Sequence, residues 1–181
     1  LLFSCSTATS DAQIDMRANA SLKIKGISFV SPPTHIKSLQ IDPLNAVSPN
    51  YLAIMPFGYL PGANNPDLLY DYDQQWWGEG PKGAKLLIDT CKLLGYQIML
   101  KPQLWISGGV FTGTIEMESE ESWKKLEENY REFILKYAEI AEGSGVDILC
   151  IGTELGRWVK ARPEYWRKLV LEIRDLYNGK L

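Results

Sequence analysis

Val146-Asp147-Ile148-Leu149-Cys150-Ile151-Gly152-Thr153-Glu154 is the stretch on which the fold turns. Its apolar run, Ile148 to Ile151, stops abruptly at Gly152-Thr153-Glu154. A run that short and that apolar reads as a strand buried on both faces, as in a parallel sheet. A carboxylate at the C-terminal tip of such a strand stands where α/β barrels hold their chemistry. Glu154 is therefore the first candidate for a catalytic side chain. The plainer alternative is an ordinary strand that ends in a solvated glutamate.

The segments on either side repeat the pattern. Downstream, Pro163 opens a helix that buries Trp166, Leu169, Val170, Ile173 and Leu176, and Asn178-Gly179 stops it. Lys180-Leu181 reads as the opening of a fifth strand. Upstream, Ser119 is a good N-cap for a long helix, with Glu120 and Glu121 favourable in its first turn. Its apolar stripe is Trp123, Leu126, Tyr130, Phe133, Ile134, Tyr137, Ile140 and Ala141, and Gly143 and Gly145 end it. Residues 96–104 form a third strand running into Trp105-Ile106-Ser107-Gly108-Gly109. Pro81 opens a helix whose face is Ala84, Leu87, Ile88, Cys91 and Leu94, stopped by Gly95. Residues 51–57 read as the second strand and 58–80 as a long loop of functional length. Residues 34–41 are weakly helical. Residues 23–30 alternate as a first strand, which Ser31-Pro32-Pro33 ends.

The order is βα repeated about four times, an α/β chain with a parallel sheet and helices outside it. An open doubly wound sheet and half of an eight-fold barrel both fit. A full barrel takes about 250 residues, so 181 residues hold a half or truncated one. The turn after the first strand, Val30-Ser31-Pro32-Pro33, lacks the glycines of a nucleotide-binding sheet.

Composition narrows the function. The net charge of −3 comes with scattered Lys and Arg, which gives no basic patch for nucleic acid. Six Trp exceed the needs of a core this size. Indole faces near strand ends suit sugar clefts, since the apolar face of a pyranose stacks on them. Trp76-Trp77, in the long loop, reads as a sugar platform or lid, or equally as a plug over the barrel mouth. Asp71, Asp73 and Glu79 in that loop read as solvated. Three cysteines do not make a disulfide framework; Cys91 and Cys150 read as small apolar core residues. His35 alone gives no metal or Ser-His-Asp site much to work with, and no cofactor is expected.

The first ten residues, Leu-Leu-Phe-Ser-Cys-Ser-Thr-Ala-Thr-Ser, look like the tail of a bacterial lipoprotein signal followed by a tether. Cys5 would then be lipidated and would attach the protein to a membrane of the cell envelope, in an extracytoplasmic location. The alternative is a disordered chain end. Residues 1–20 are thus set apart as signal remnant and tether, and residues 21–181 as the folded half-barrel.

The four strand tips are Phe29-Val30, Pro56-Phe57, Lys101-Pro102-Gln103 and Thr153-Glu154. In a barrel they face one cleft. Amide and hydroxyl groups there would bond sugar hydroxyls, Trp105 would stack on a ring and Glu154 would handle a proton. Arg157 and Trp158 read as a surface ion pair and a helix-packing residue. Lys-Gly-Ile-Ser-Phe-Val, Met-Pro-Phe-Gly-Tyr, Met-Leu-Lys-Pro-Gln-Leu-Trp, Tyr-Arg-Glu-Phe-Ile-Leu-Lys-Tyr-Ala and Leu-Cys-Ile-Gly-Thr-Glu-Leu follow one another along the chain. Carrying these motifs, the chain resembles glycoside hydrolase family 113 over about residues 23–181, the N-terminal half of that family's barrel. The family comprises TIM-barrel β-mannanases and related enzymes of retaining clan A.

The resemblance implies a carbohydrate substrate and Glu154 as acid/base; the strand tips and the long loop supply Trp105, Gln103, Lys101, Thr153 and Trp76 as substrate-binding candidates. Thr153 stands where the wider clan usually has Asn, a substitution this family shares. Gln103 stands where close relatives often carry His. Retaining hydrolysis needs two carboxyl groups about 5–5.5 Å apart. In the clan the second ends strand seven, so the partner implied is the remaining half-barrel of the gene product. A carbohydrate-binding lipoprotein without catalysis, a decayed fragment, and a small open-sheet domain with no sugar role are the competing readings.

Overall fold

The computed structural model describes residues 23–35 and 41–181. Cys5 with its tether, and the middle of the helix expected over 34–41, lie outside the described residues. Among the described residues there are six strands: β1 Gly26–Phe29, β2 Tyr51–Ile54, β3 Phe57–Leu60, β4 Gln97–Leu100, β5 Gln103–Ile106 and β6 Ile148–Leu149. Four α-helices accompany them among the same residues: α1 Pro81–Leu93, α2 Glu120–Gly143, α3 Gly156–Ala161 and α4 Pro163–Leu176.

All strand pairs are parallel, and the main sheet runs β1-β2-β4-β6. Strands adjacent in the chain are thus adjacent in space. A doubly wound sheet reverses its order at a switch point; this one never does, which is barrel order. Lys180 adds a parallel bridge to Ile148 at the far edge, the position expected of a following strand. Among the described residues no helix is long and apolar enough to cross a membrane.

The second and third strands expected from sequence each divide in two. The division is local, because both halves share one register, each residue facing the one 46 positions on, as Tyr51 faces Gln97 and Phe57 faces Gln103. That register sets Pro56 opposite Pro102. Bonds from Lys101 N to Ile54 O (2.8 Å) and from Gln103 N to Pro56 O (2.9 Å) carry the pairing across, while Pro56 has no N–H to return one. The start of the expected long loop is therefore strand β3.

Pro102 also explains why β6 is so short. Cys150 N donates to Leu100 O at 2.9 Å. The next donor in a parallel ladder would be the amide of residue 102, and proline has none. Glu154 consequently lies beyond the paired strand, in a turn, rather than at its last residue.

Burial alternates along the wall. Leu52, Ile54, Ile98, Leu100 and Leu149 are buried under the helices, whereas Ala53, Met99, Ile148 and Cys150 on the inner face are half-exposed. The expected burial of both faces thus holds for the helix side only. Each fully buried aliphatic contributes about 1.5–3 kcal/mol. The long stripe of α2 is buried throughout, as its spacing predicts. Leu94 and Leu176, expected in the core, are exposed. Leu94 follows the last residue of α1, and Tyr177 fills the space beside α4, donating from its hydroxyl to Val146 O at 2.9 Å. Cys91 is buried as expected, and burial pushes its thiol up to about 11.

Helix α3, which follows Glu154 directly, was not foreseen as a separate element. Its Trp158 is fully buried among Tyr130 at 5.0 Å, Trp166 at 5.3 Å, Tyr165 at 5.7 Å and Trp123 at 6.2 Å between ring centroids. Truncating so large a buried ring leaves a cavity. Trp158→Ala should lower unfolding stability by about 3–5 kcal/mol in urea titration, and Trp158→Phe by less than half of that.

Candidate active site

The segment joining β6 to α3 is fastened residue by residue. Tyr130, fully buried on α2, donates its hydroxyl to Ile151 O at 3.0 Å, so a carbonyl just past the paired strand is satisfied. Burial raises the Tyr130 phenol well above its ordinary range, which keeps that donor protonated. Gly152 lies under Trp166: a Cβ there would come within 3.3 Å of the indole. Leu155 is buried behind the turn.

Glu154, between these anchors, has φ +58°. Left-handed backbone costs a non-glycine residue about 1–2 kcal/mol. It persists where the surroundings over-determine it, which occurs chiefly at functional sites. On its other side Thr112, itself buried, points Oγ1 at Glu154 O from 3.4 Å.

These turns enclose a cleft of about 320 Å³ at the C-terminal end of β5. Gln103, Trp105, Thr153 and Glu154 all line it. Four residues chosen from sequence therefore meet in one place. Phe57, at another expected tip, joins them. Trp105 is 51% exposed, which leaves its indole open for stacking. Its cross-strand neighbour Tyr59 donates to Glu79 Oε2 at 2.5 Å. Burial and that bond push the Tyr59 phenol strongly up. Glu79, expected to be solvated, is thus half-buried and engaged.

Two candidates fall elsewhere. Lys101 shares the inner face with Gln103 and Trp105 but is not among the cleft-lining residues, because β5 continues past it to Ile106 and makes it a mid-wall residue. Trp76 is exposed and lines no part of the cleft. Trp77 does the packing instead, stacking near His35 at 4.3 Å and donating from N to Pro33 O at 3.1 Å. Cys150, expected in the core, is half-exposed with Sγ 3.7 Å from Thr153 Oγ1. Arg157 pairs with Glu116 at 2.7 Å, the surface ion pair expected of it.

Sequence reading missed the far wall of the cleft, formed by Gly109, Val110, Phe111 and Thr112. Its signal was Gly108-Gly109, whose φ values of +75° and +71° turn the chain back over the cleft. Glycine accepts such backbone without the penalty paid by Glu154. Glu154→Gly should therefore be more stable to unfolding than Glu154→Gln, by about 1 kcal/mol in urea titration. Thr112→Val should cost about 1 kcal/mol through its lost hydroxyl bond.

The model of Glycoside Hydrolase Family 113 matches residues 35–181. Among solved structures, a GH113 β-1,4-mannanase complex superposes with TM-score 0.73 at 22% identity, covering 86% of this chain and 53% of that one. The GH113 β-mannanase of Alicyclobacillus acidocaldarius, solved in complex with ManMIm, gives TM-score 0.74 at 21% identity, covering 86% and 52%. A comparison with curated proteins returned no match. The chain spans about half the length of the solved proteins it matches. Their likeness, at this identity, establishes the partial barrel, and the matched model establishes the lineage: the chain belongs to glycoside hydrolase family 113.

Proposed function

We propose that this chain carries the acid/base half of a retaining glycoside hydrolase acting on a β-linked, mannan-like saccharide. The observation that supports it most is one cleft lined by a carboxylic acid, an amide, a hydroxyl and an open indole. A neutral polyol calls for such a set: Gln103 and Thr153 bond hydroxyls, and Trp105 stacks on a ring face. Glu154 donates a proton to the leaving glycosidic oxygen as a second carboxylate attacks the anomeric carbon. It then takes a proton from the water that releases the sugar. The second carboxylate is assigned to a seventh strand in a longer form of the protein, where the rest of the barrel closes over the inner face. Lipidation of Cys5 and an extracytoplasmic location belong to the same proposal.

A second reading is a carbohydrate-binding protein without catalysis. It is favoured by Glu154 being the sole carboxylate among the cleft-lining residues described. Hydrolysis of mannan and aryl β-mannosides by the 181-residue chain and by a form extended through a seventh strand separates the two. The extended form should turn over, Glu154→Gln should lower its rate by about 10²–10⁴-fold, and the short form should be inactive. Turnover by the short form that vanishes in Glu154→Gln sinks the divided-site account, and an inactive extended form leaves the binder.

A further inference from the structure

We propose that Phe111 is a second sugar-stacking platform of this cleft and that Gly113 is the residue that seats it; the proposal rests on the carbohydrate reading above. Phe111 is 59% exposed and lines the same cleft as Glu154. Its backbone is nonetheless fastened, since Phe111 O accepts from Thr114 N at 3.1 Å and from Thr114 Oγ1 at 2.7 Å. The next residue is Thr112, the one whose hydroxyl approaches Glu154 O. Ring and acid are therefore set relative to each other through adjacent residues.

Gly113 leaves open the space in which the Phe111 ring lies. A Cβ there would fall 2.3 Å from Phe111 Cε1 and 2.6 Å from Cζ. Gly113 is absent from the left-handed residues of the chain, so its conformation does not require glycine. The space is taken by the ring, which lies over bare Gly113 backbone, so a side chain at 113 would turn the ring away from where it lies. An exposed aromatic ring on a fastened backbone offers a flat apolar face with few torsions to order when a ligand stacks on it. The occupant that fits is the C–H face of a pyranose next to the one on Trp105. Aromatic walls offer apolar area, and Gln103, Thr153 and Glu154 between them offer hydrogen bonds to hydroxyls.

Leucine separates stacking from mere packing, because it keeps apolar bulk and loses the flat face. Ligand-detected NMR titration of the 181-residue chain with a β-1,4-mannotriose probe reads the effect. Phe111→Leu and Gly113→Ala should each weaken binding roughly five-fold, and Phe111→Tyr should stay within about two-fold. Thermal unfolding of each variant checks that the fold is kept. Unchanged binding in Phe111→Leu or in a folded Gly113→Ala, with binding weakened in Trp105→Ala, overturns the platform and leaves the cleft reading standing. No binding of the probe by the unsubstituted chain overturns both.

Discussion

The site depends on Trp158 being locked between α2 and α4. Only three residues separate Trp158 from Glu154, and the chain between them is too short to move freely once the ring is buried. Tyr130 serves the same end twice, packing its ring against Trp158 and bonding Ile151 O with its hydroxyl. Arg162, at the junction of α3 and α4, completes the clamp. It binds Glu127 at 2.5 Å and both oxygens of Glu120 at 2.8 Å, and it lies 5.8 Å from the Trp123 ring. A forked guanidinium meeting two carboxylates on one helix face adds direction as well as attraction. The turn at Glu154 thus takes its rigidity from helix packing behind it. The strand in front has already lost its ladder at Pro102.

How much of this was legible in the sequence follows from periodicity. The stripe of α2 reads directly because an apolar face held over five turns has one solution. Barrel order was one of two options left open, and strand adjacency is a tertiary property that periodicity does not encode. The paired prolines were visible singly, at residues 56 and 102, but their facing each other depends on register. Glu154 was found because an apolar run ended on it, though the run was read as paired further than Pro102 permits. Phe111 is not legible for a physical reason: an exposed ring on a loop has no periodicity, and its place over Gly113 is a property of the folded loop. Trp76 drew attention by its type alone, and type does not tell an exposed indole from a placed one.

The inner wall changes along its length. Cross-strand pairs on that face run from Tyr51 with Gln97 through Ala53 with Met99 and Phe57 with Gln103 to Tyr59 with Trp105. Between the second and third of these the same register sets Met55 against Lys101. Small and flexible side chains thus hold the middle of the wall, and the rings and amide of the last two pairs stand at the C-terminal end, where the cleft lies. Lys101 is half-exposed on the wall beneath the cleft, and Gln103 is the first residue of β5 to border it. Two residues of alternation, one pleat repeat, separate the mid-wall Lys101 from the cleft-lining Gln103. The proline pair marks that boundary in the backbone, since the ladder loosens just where the wall reaches the cleft.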